Sequence, residues 1–336
     1  MKKIKVAYVD FWKNFIPEEF IFHKNLKKIY DVEITKDNPD FVFCSWFGNE
    51  FLKYKCPRIL FLGEAICPDF NLYDYAIGFD DIHFGDRYLR YPLFLTDKKM
   101  LESALHKHER SEEYYLNKKK FCCFVVSSGG GVDDVRNHFF EELCEYKKVD
   151  SGGRFKNNLP DGQPVKDKIE FQEDYRFCIA FENTKFPGYV TEKIIEAWAS
   201  GTIPIYYGDP EIGKIFNTKA MIYCDGKEDF KNVIEQIEKI DSNDEKYLEM
   251  VKQPILENNH DIEKMMQEEY LLQFLKNIFD QNPKDAYRRN SESTMWGICY
   301  ENDLKRRIML DENAVTNFFR KTKRKFFGNK NLIKRK

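Results

Sequence analysis

Residues 175–211 read YRFCIAFENTKFPGYVTEKIIEAWASGTIPIYYGDPE, and this run decides the fold. Phe177–Phe181 is an uncharged apolar stretch of strand length, the composition of a strand covered on both faces. Thr191–Ser200 reads as an amphipathic helix, with Thr191 placed to cap its first turn and Gly201 to stop its last. Thr202–Tyr207 (TIPIYY) is a second buried strand. Strand, helix, strand is the repeating unit of an α/β layer architecture. The same run gathers polar groups at one edge of the sheet. Glu182 and Asn183 leave the first strand, Tyr189, Thr191, Glu192 and Lys193 open the helix, and Gly208 and Asp209 are expected to be exposed after the second strand. A helix N-terminus with a lysine favours phosphate, and carboxylates such as Glu192 or Glu182 accept hydrogen bonds from ribose or sugar hydroxyls. The edge suits a nucleotide diphosphate.

Outward from this run the α/β pattern continues. Ile4–Val9, Phe41–Cys44, Ile59–Leu62 and Ala76–Phe79 read as strands, and Glu18–Tyr30 reads as a helix. Glu64 stands in the loop GEAICPDFN just past the third strand, where open α/β sheets place ligand groups. Lys98–Lys120 is strongly charged with no obvious apolar face, which predicts a polar helix or linker and a domain boundary. A second α/β unit opens at Phe121–Val126 (FCCFVV), followed by Ser127, Ser128, Gly129, Gly130 and Gly131 and a helix from about Asp133 to Tyr146. Strand, glycine loop and helix aim backbone N–H groups at an anion, but a glycine run alone reads more simply as a tight turn. Ala220–Cys224 is a further strand, and Glu228–Ile240 and Glu245–Gln253 are closing helices.

The 336 residues are 42% hydrophobic and 16% aromatic, enough to fill two cores and to exclude disorder for most of the chain. The net charge of −2 argues against a dedicated nucleic-acid binder. It hides an asymmetry: Asn317–Lys336 holds nine Lys or Arg and no acid, leaving 45 bases against 56 acids in residues 1–316, a net of −11. Phe318, Phe319, Phe326, Phe327, Leu332 and Ile333 interleave with those cations, so the tail reads as an interfacial segment for an anionic lipid surface, or else as a solvated tail. The N-terminus lacks a signal-peptide core, and no stretch of 18 apolar residues exists to span a bilayer. The nine cysteines are odd in number, and Cys44, Cys122, Cys123, Cys178 and Cys224 sit in strand-like runs, the pattern of buried reduced thiols in a cytoplasmic protein.

Three blocks in order, FLGEAICPDFNLYDYAIGFDD at Phe61–Asp81, VVSSGGGVDDVRNHFFEEL at Val125–Leu143 and AFENT…GYVTEKIIEAWASGTIPIYYG at Ala180–Gly208, resemble the α1,3/4-fucosyltransferases, in the form of the bacterial branch. The resemblance implies a GT-B fold, two Rossmann-like α/β domains facing a central cleft. Residues 1–117 would bind acceptor, 118–290 would bind GDP-fucose, and 291–336 would be an extension ending in the basic tail. It implies Glu64 as the general base and Arg136, Asn183, Tyr189, Glu192 and Lys193 as donor-site residues, with Glu182 as a further donor-site candidate. The three glycines at 129–131 are not part of the family pattern.

The chemistry agrees with those residue types. Inverting transfer needs one carboxylate to take the acceptor proton, and positive charge where the diphosphate leaves. Trp46 and Phe47 are acceptor-stacking candidates. Asp-X-Asp does not occur and the six histidines are scattered, so no metal site and no required cofactor are expected, although a loosely bound divalent ion could assist. The expectation is an α1,3-fucosyltransferase acting with inversion on Galβ1,4GlcNAc-type surface glycans such as lipopolysaccharide, forming Lewis-type antigens. It would work in the cytoplasm, peripheral on the inner face of the membrane, with no nucleic-acid partner. The rivals are α1,4 or dual linkage, another GDP-sugar, and an inactive nucleotide-sugar or glycan binder. An NAD-dependent oxidoreductase lacks its GxGxxG fingerprint.

Overall fold

The computed structural model describes residues 1–127, 135–257, 260–290 and 296–312. The glycine loop at Gly129–Gly131 and the basic tail at Asn317–Lys336 lie outside the described residues.

Apolar runs with little alternation predict parallel strands sandwiched by helices, and two such sheets are present. The first contains β1 (Lys3–Val9), β2 (Asp31–Ile34), β3 (Phe41–Cys44), β4 (Arg58–Phe61), β5 (Tyr75–Gly78) and β6 (Tyr88–Arg90), in the order β2-β1-β3-β4-β5-β6. The second contains β7 (Lys120–Phe124), β8 (Val149–Ser151), β9 (Tyr175–Phe181), β10 (Ile203–Tyr207) and β11 (Ile222–Tyr223), in the order β11-β10-β9-β7-β8. Every pairing is parallel, with Val6 opposite Phe41 in one sheet and Ile205 opposite Ile179 in the other. Each sheet reverses its direction of growth once, between β1 and β3 and between β7 and β9. Parallel sheets open a crevice at that point, outside the carboxyl ends of the strands.

The helices are α1 (Ile21–Ile29), α2 (Lys98–Leu105), α3 (Glu112–Leu116), α4 (Val135–Tyr146), α5 (Lys168–Glu173), α6 (Glu192–Ala199), α7 (Phe230–Asp241), α8 (Asp244–Val251), α9 (His260–Met266), α10 (Glu268–Phe279) and α11 (Gly297–Glu312). The stretch 98–120, expected as a polar helix or linker, is helical and carries a buried apolar face. Leu101 and Ala104 of α2 are buried and α2 packs on α6, while Tyr115 of α3 is fully buried. Two short helices display too few turns for an apolar face to stand out among so many charges. Lys107 between them is itself buried, its ammonium donating to the carbonyls of Val251 and Gln253. The expected helix from Glu18 starts as a 3-10 turn at Pro17–Glu19 and becomes α-helical only at Ile21.

The halves exchange segments. Phe94 meets Phe216, which also packs against the buried Trp198 of α6. In return, the expected 118–290 unit sends α10 back to the first sheet. Phe279 packs on Phe41 at 4.5 Å between ring centroids, Tyr30 Oη donates to Asp280 Oδ1 at 2.7 Å, and Lys2 Nζ donates to the carbonyl of Phe279 at 2.8 Å. Leu271, Leu275 and Ile278 give α10 an apolar face, and this is where it is buried.

The chain beyond α10 is clamped by one carboxylate. Asp74 is fully buried and accepts from the backbone N–H groups of Arg58 (2.7 Å), Arg288 (2.8 Å) and Arg289 (2.9 Å), as well as from the Arg289 guanidinium. Arg58, also buried, donates to Glu301 of α11 at 2.8 Å. Removing the anion from such a buried pair leaves a desolvated cation, at a cost of about 3–5 kcal/mol. Asp74→Ala is expected to destabilise the fold by about that amount and so to lower the thermal unfolding midpoint, measured by circular dichroism; an unchanged midpoint would show that the clamp carries no weight.

Candidate active site

Each crevice holds a cavity, and the predicted residues divide between them. At the β7/β9 switch point a cavity of about 380 Å³ is lined by Ser127, Arg136, Lys166, Lys168, Asn183, Glu192 and Lys193, with Val125, Val126 and Val165. At the β1/β3 switch point a cavity of about 530 Å³ is lined by Glu64 and Phe47 together with Trp12, Asn14, Phe15, Ile16, Glu19 and Ser45, among others.

The first of these cavities is organised by Glu182. It leaves the end of β9 with 1% of its surface exposed, and accepts from Thr191 N at 2.7 Å, from Thr191 Oγ1 at 2.8–2.9 Å and from Lys193 Nζ at 3.0 Å. The loop after β9 is thereby fastened to the first turn of α6. The cap expected at Thr191 is present, with Oγ1 accepting from Lys193 N, and Gly201 ends the helix at a φ of +68°. Gly208 is a structural requirement. A Cβ there would lie 2.6 Å from Glu182 Cγ and from Tyr206 Oη. Gly208 and Asp209 are therefore buried rather than exposed, and Asp209 N donates to Tyr206 Oη at 3.1 Å.

Burial raises the Glu182 carboxyl, with Lys193 pulling the other way. Burial by itself would lower the Lys193 ammonium, but Glu182 and Glu192 outweigh it and hold Lys193 above its ordinary value. Glu192 Oε1 stands 3.6 Å from Lys193 Nζ. Desolvation opposes its charge, yet Lys193 and Lys168 leave its pKa below the usual carboxylate value. Across the cavity, the buried Arg136 on the first turn of α4 donates from Nη1 to Asn183 Oδ1 at 2.9 Å. Arg136, Asn183, Glu192 and Lys193 thus meet at one site. Glu182 stands behind them as a brace, its oxygens already engaged within the protein.

Tyr189, in the loop before α6, reaches across to the first half. It is 2% exposed, packs edge-on against Phe79 of the first half at 5.2 Å, and its Oη donates to Glu64 Oε2 at 3.5 Å. Burial raises its phenol well above the usual range. Phe47 lines the larger cavity, half-exposed, whereas Trp46 lies beside Phe47 at 5.5 Å without lining it. Cys67, exposed, donates to Asp80 Oδ1 at 3.3 Å. Among the described residues no three His, Cys, Asp or Glu side chains gather as a metal site.

The sequence did not point to Lys166 and Lys168, or to the wall from Trp12 to Glu19. The lysines flank Asp167, the N-cap of α5, in a polar stretch with no motif. The wall follows β1 directly, and the strand-exit rule that singled out Glu64 applies there equally.

Residues 6–96 match the model of the α-(1,3)-fucosyltransferase FucT N-terminal domain, and residues 115–276 match that of the glycosyltransferase family 10 (fucosyltransferase) C-terminal region. The α-(1,3)-fucosyltransferase FucT of Helicobacter pylori is 32% identical over 286 residues, which take in 74% of this chain and 59% of the length of that relative. The crystal structure of an α1,3-fucosyltransferase with GDP-fucose superposes with a TM-score of 0.71 at 28% identity, covering 87% of this chain and 94% of that one. A second, with GDP, gives 0.69 at 29% identity, covering 84% and 91%. With both halves matched in order, and with two parallel α/β sheets whose crevices adjoin at Tyr189 and Glu64, the chain belongs to the family 10 fucosyltransferases and has their GT-B fold.

Proposed function

We propose that the protein transfers fucose from GDP-fucose, with inversion, to O3 of N-acetylglucosamine in Galβ1,4GlcNAc-type surface glycans. The observation that carries this reading is the Tyr189–Glu64 contact. It sets a carboxylate of the larger cavity against a residue in the loop that leads into the phosphate-suited helix α6. The α1,3 linkage follows the names of the similar proteins.

In the reaction, Glu64 removes the proton from the acceptor hydroxyl as its oxygen forms a bond to the anomeric carbon, and the bond from that carbon to the β-phosphate breaks on the opposite face. A single displacement inverts the centre and needs no enzyme nucleophile, so Cys67 has no part in it. Negative charge grows on the departing GDP, where Arg136, Lys193 and the N-terminus of α6 receive it. Asn183 holds the Arg136 guanidinium, and Glu192 accepts hydrogen bonds from hydroxyls of the donor. The charge is carried by protein groups, and a divalent ion has at most an assisting part.

Glu64→Gln is expected to reduce the rate of fucosyl transfer by about 10²–10⁴-fold, the usual share of a general base, with GDP affinity unchanged by calorimetry. Transfer at the wild-type rate with GDP still bound would remove Glu64 from this role. Arg136→Ala is expected to weaken GDP binding by about ten- to a hundredfold, the 1.5–3 kcal/mol of a charge-assisted hydrogen bond; unchanged affinity in the same titration would contradict the assignment.

Among the described residues no helix is long and apolar enough to cross a membrane. The proposed placement on the inner face of the cytoplasmic membrane rests on the composition of Asn317–Lys336. Deleting those residues is expected to abolish co-sedimentation with vesicles containing anionic phospholipid while leaving turnover of a soluble trisaccharide largely intact. Full-level co-sedimentation of the truncated protein would refute it.

A further inference from the structure

The wall that follows β1 carries an inference of its own. Phe11 and Phe15 are stacked, 3.8 Å between centroids and 10° between planes. Trp12 stands edge-on to both, at 5.7 Å and 5.0 Å. The rings beside it fix the indole, yet 44% of Trp12 remains exposed, and it lines the cavity that also contains Glu64 and the half-exposed Phe47. The same wall brings Asn14 and Glu19 to the cavity. An apolar ring face with polar groups around it complements a pyranose, which has a C–H face and a rim of hydroxyls. A purely apolar ligand would leave Glu19 desolvated without a partner.

The wall is also held at a set position. Asp10 and Asn14 both adopt left-handed backbone, with φ of +60° and +74°, which side-chain-bearing residues rarely do. The Asp10 carboxylate accepts from Glu50 N and Phe51 N, each at 2.8 Å, and its carbonyl accepts from Phe47 N at 3.1 Å. Gly48 has no room for a side chain there, since a Cβ would lie 2.3 Å from Asp10 Oδ1. One aspartate therefore ties the segment bearing Trp12 to the segment bearing Phe47.

We propose that Trp12 is the stacking platform of the acceptor subsite, taking a pyranose of the acceptor glycan against its exposed face, and that Asp10 is the positioning residue that sets Trp12 against Phe47. This rests on the transfer reading above and adds residues to it. Asn14 and Glu19 take hydrogen bonds from the hydroxyls of the stacked sugar.

The test uses the full chain with GDP-fucose and N-acetyllactosamine. Trp12→Ala is expected to raise the KM for the disaccharide about tenfold or more, with GDP affinity unchanged. Trp12→Tyr recovers most of that loss, and Trp12→Leu, which restores bulk without an aromatic face, does not. Asp10→Asn is expected to raise the same KM with GDP affinity unchanged. An unchanged KM in Trp12→Ala, or equal rescue by Leu and Tyr, overturns the platform; an unchanged KM in Asp10→Asn overturns the positioning role. Titrating the disaccharide against tryptophan fluorescence separates this from the reaction itself. A response that is present in the wild type and lost in Trp12→Phe supports the subsite even where no fucose is transferred, whereas wild-type protein that binds no disaccharide overturns it.

Discussion

The carboxylate of Glu182 is the constraint around which the candidate site is arranged. A buried anion is tolerated only when it is paired and hydrogen-bonded, and here the partners are the cap residue of α6 and the lysine two residues later. Those partners oblige the helix to begin against the end of β9. Gly208 then follows from Glu182, because any side chain at that point, just past the end of β10, would collide with it. The loop between Asn183 and Val190 is thus fixed at both ends, and its last turn carries Tyr189 out to Phe79 and Glu64. One buried contact decides both the shape of the diphosphate-suited edge and its reach toward the other half.

That reach is meaningful because the halves are packed together rather than tethered by a loose linker. The chain crosses between them once through α2 and α3 and again through α10, and each crossing segment buries apolar surface against the half it enters. Phe279 on Phe41 and Phe94 on Phe216 are core contacts. The Asp74 clamp extends the second crossing by binding residues 288–289 and, through Arg58, α11. The switch-point crevices therefore adjoin as a consequence of packing distributed over the whole chain.

Much of this was legible in the sequence, and the gaps have physical reasons. β3, β4, β7, β9 and β10 are interior strands whose uninterrupted apolar runs state their burial. β2 (DVEI) and β8 (VDS) are short edge strands, and β6 (YLR) is three residues long, so none displays a run or an alternation. The stretch 98–120 misleads because its charge count treats Lys107 and Lys118 as solvated, whereas both are buried with their ammonium groups on backbone carbonyls. Asp209 misleads similarly, since a carboxylate after a strand reads as a surface residue until Tyr206 is seen beside it. At the candidate site, Asn183, Glu192, Lys193 and Glu64 were singled out through motif and resemblance, and the structure places them at its two cavities. Lys168 could not be singled out, because its place in the cavity depends on how α5 packs rather than on any local pattern.

The electrostatics of the smaller cavity refine the idea of a cationic well. Burial without a carboxylate partner pulls a lysine down, as at Lys107, which it lowers to about 7. Lys193 moves the other way, because Glu182 and Glu192 more than compensate for its desolvation. In the proposed reaction this means that the ammonium is charged and oriented before any diphosphate arrives. The donor then replaces or shares an existing carboxylate partner, so less reorganisation is needed as charge builds on the leaving group. Glu182 and Glu192, at 3.0 and 3.6 Å from its ammonium, are the groups that hold Lys193 above its ordinary value.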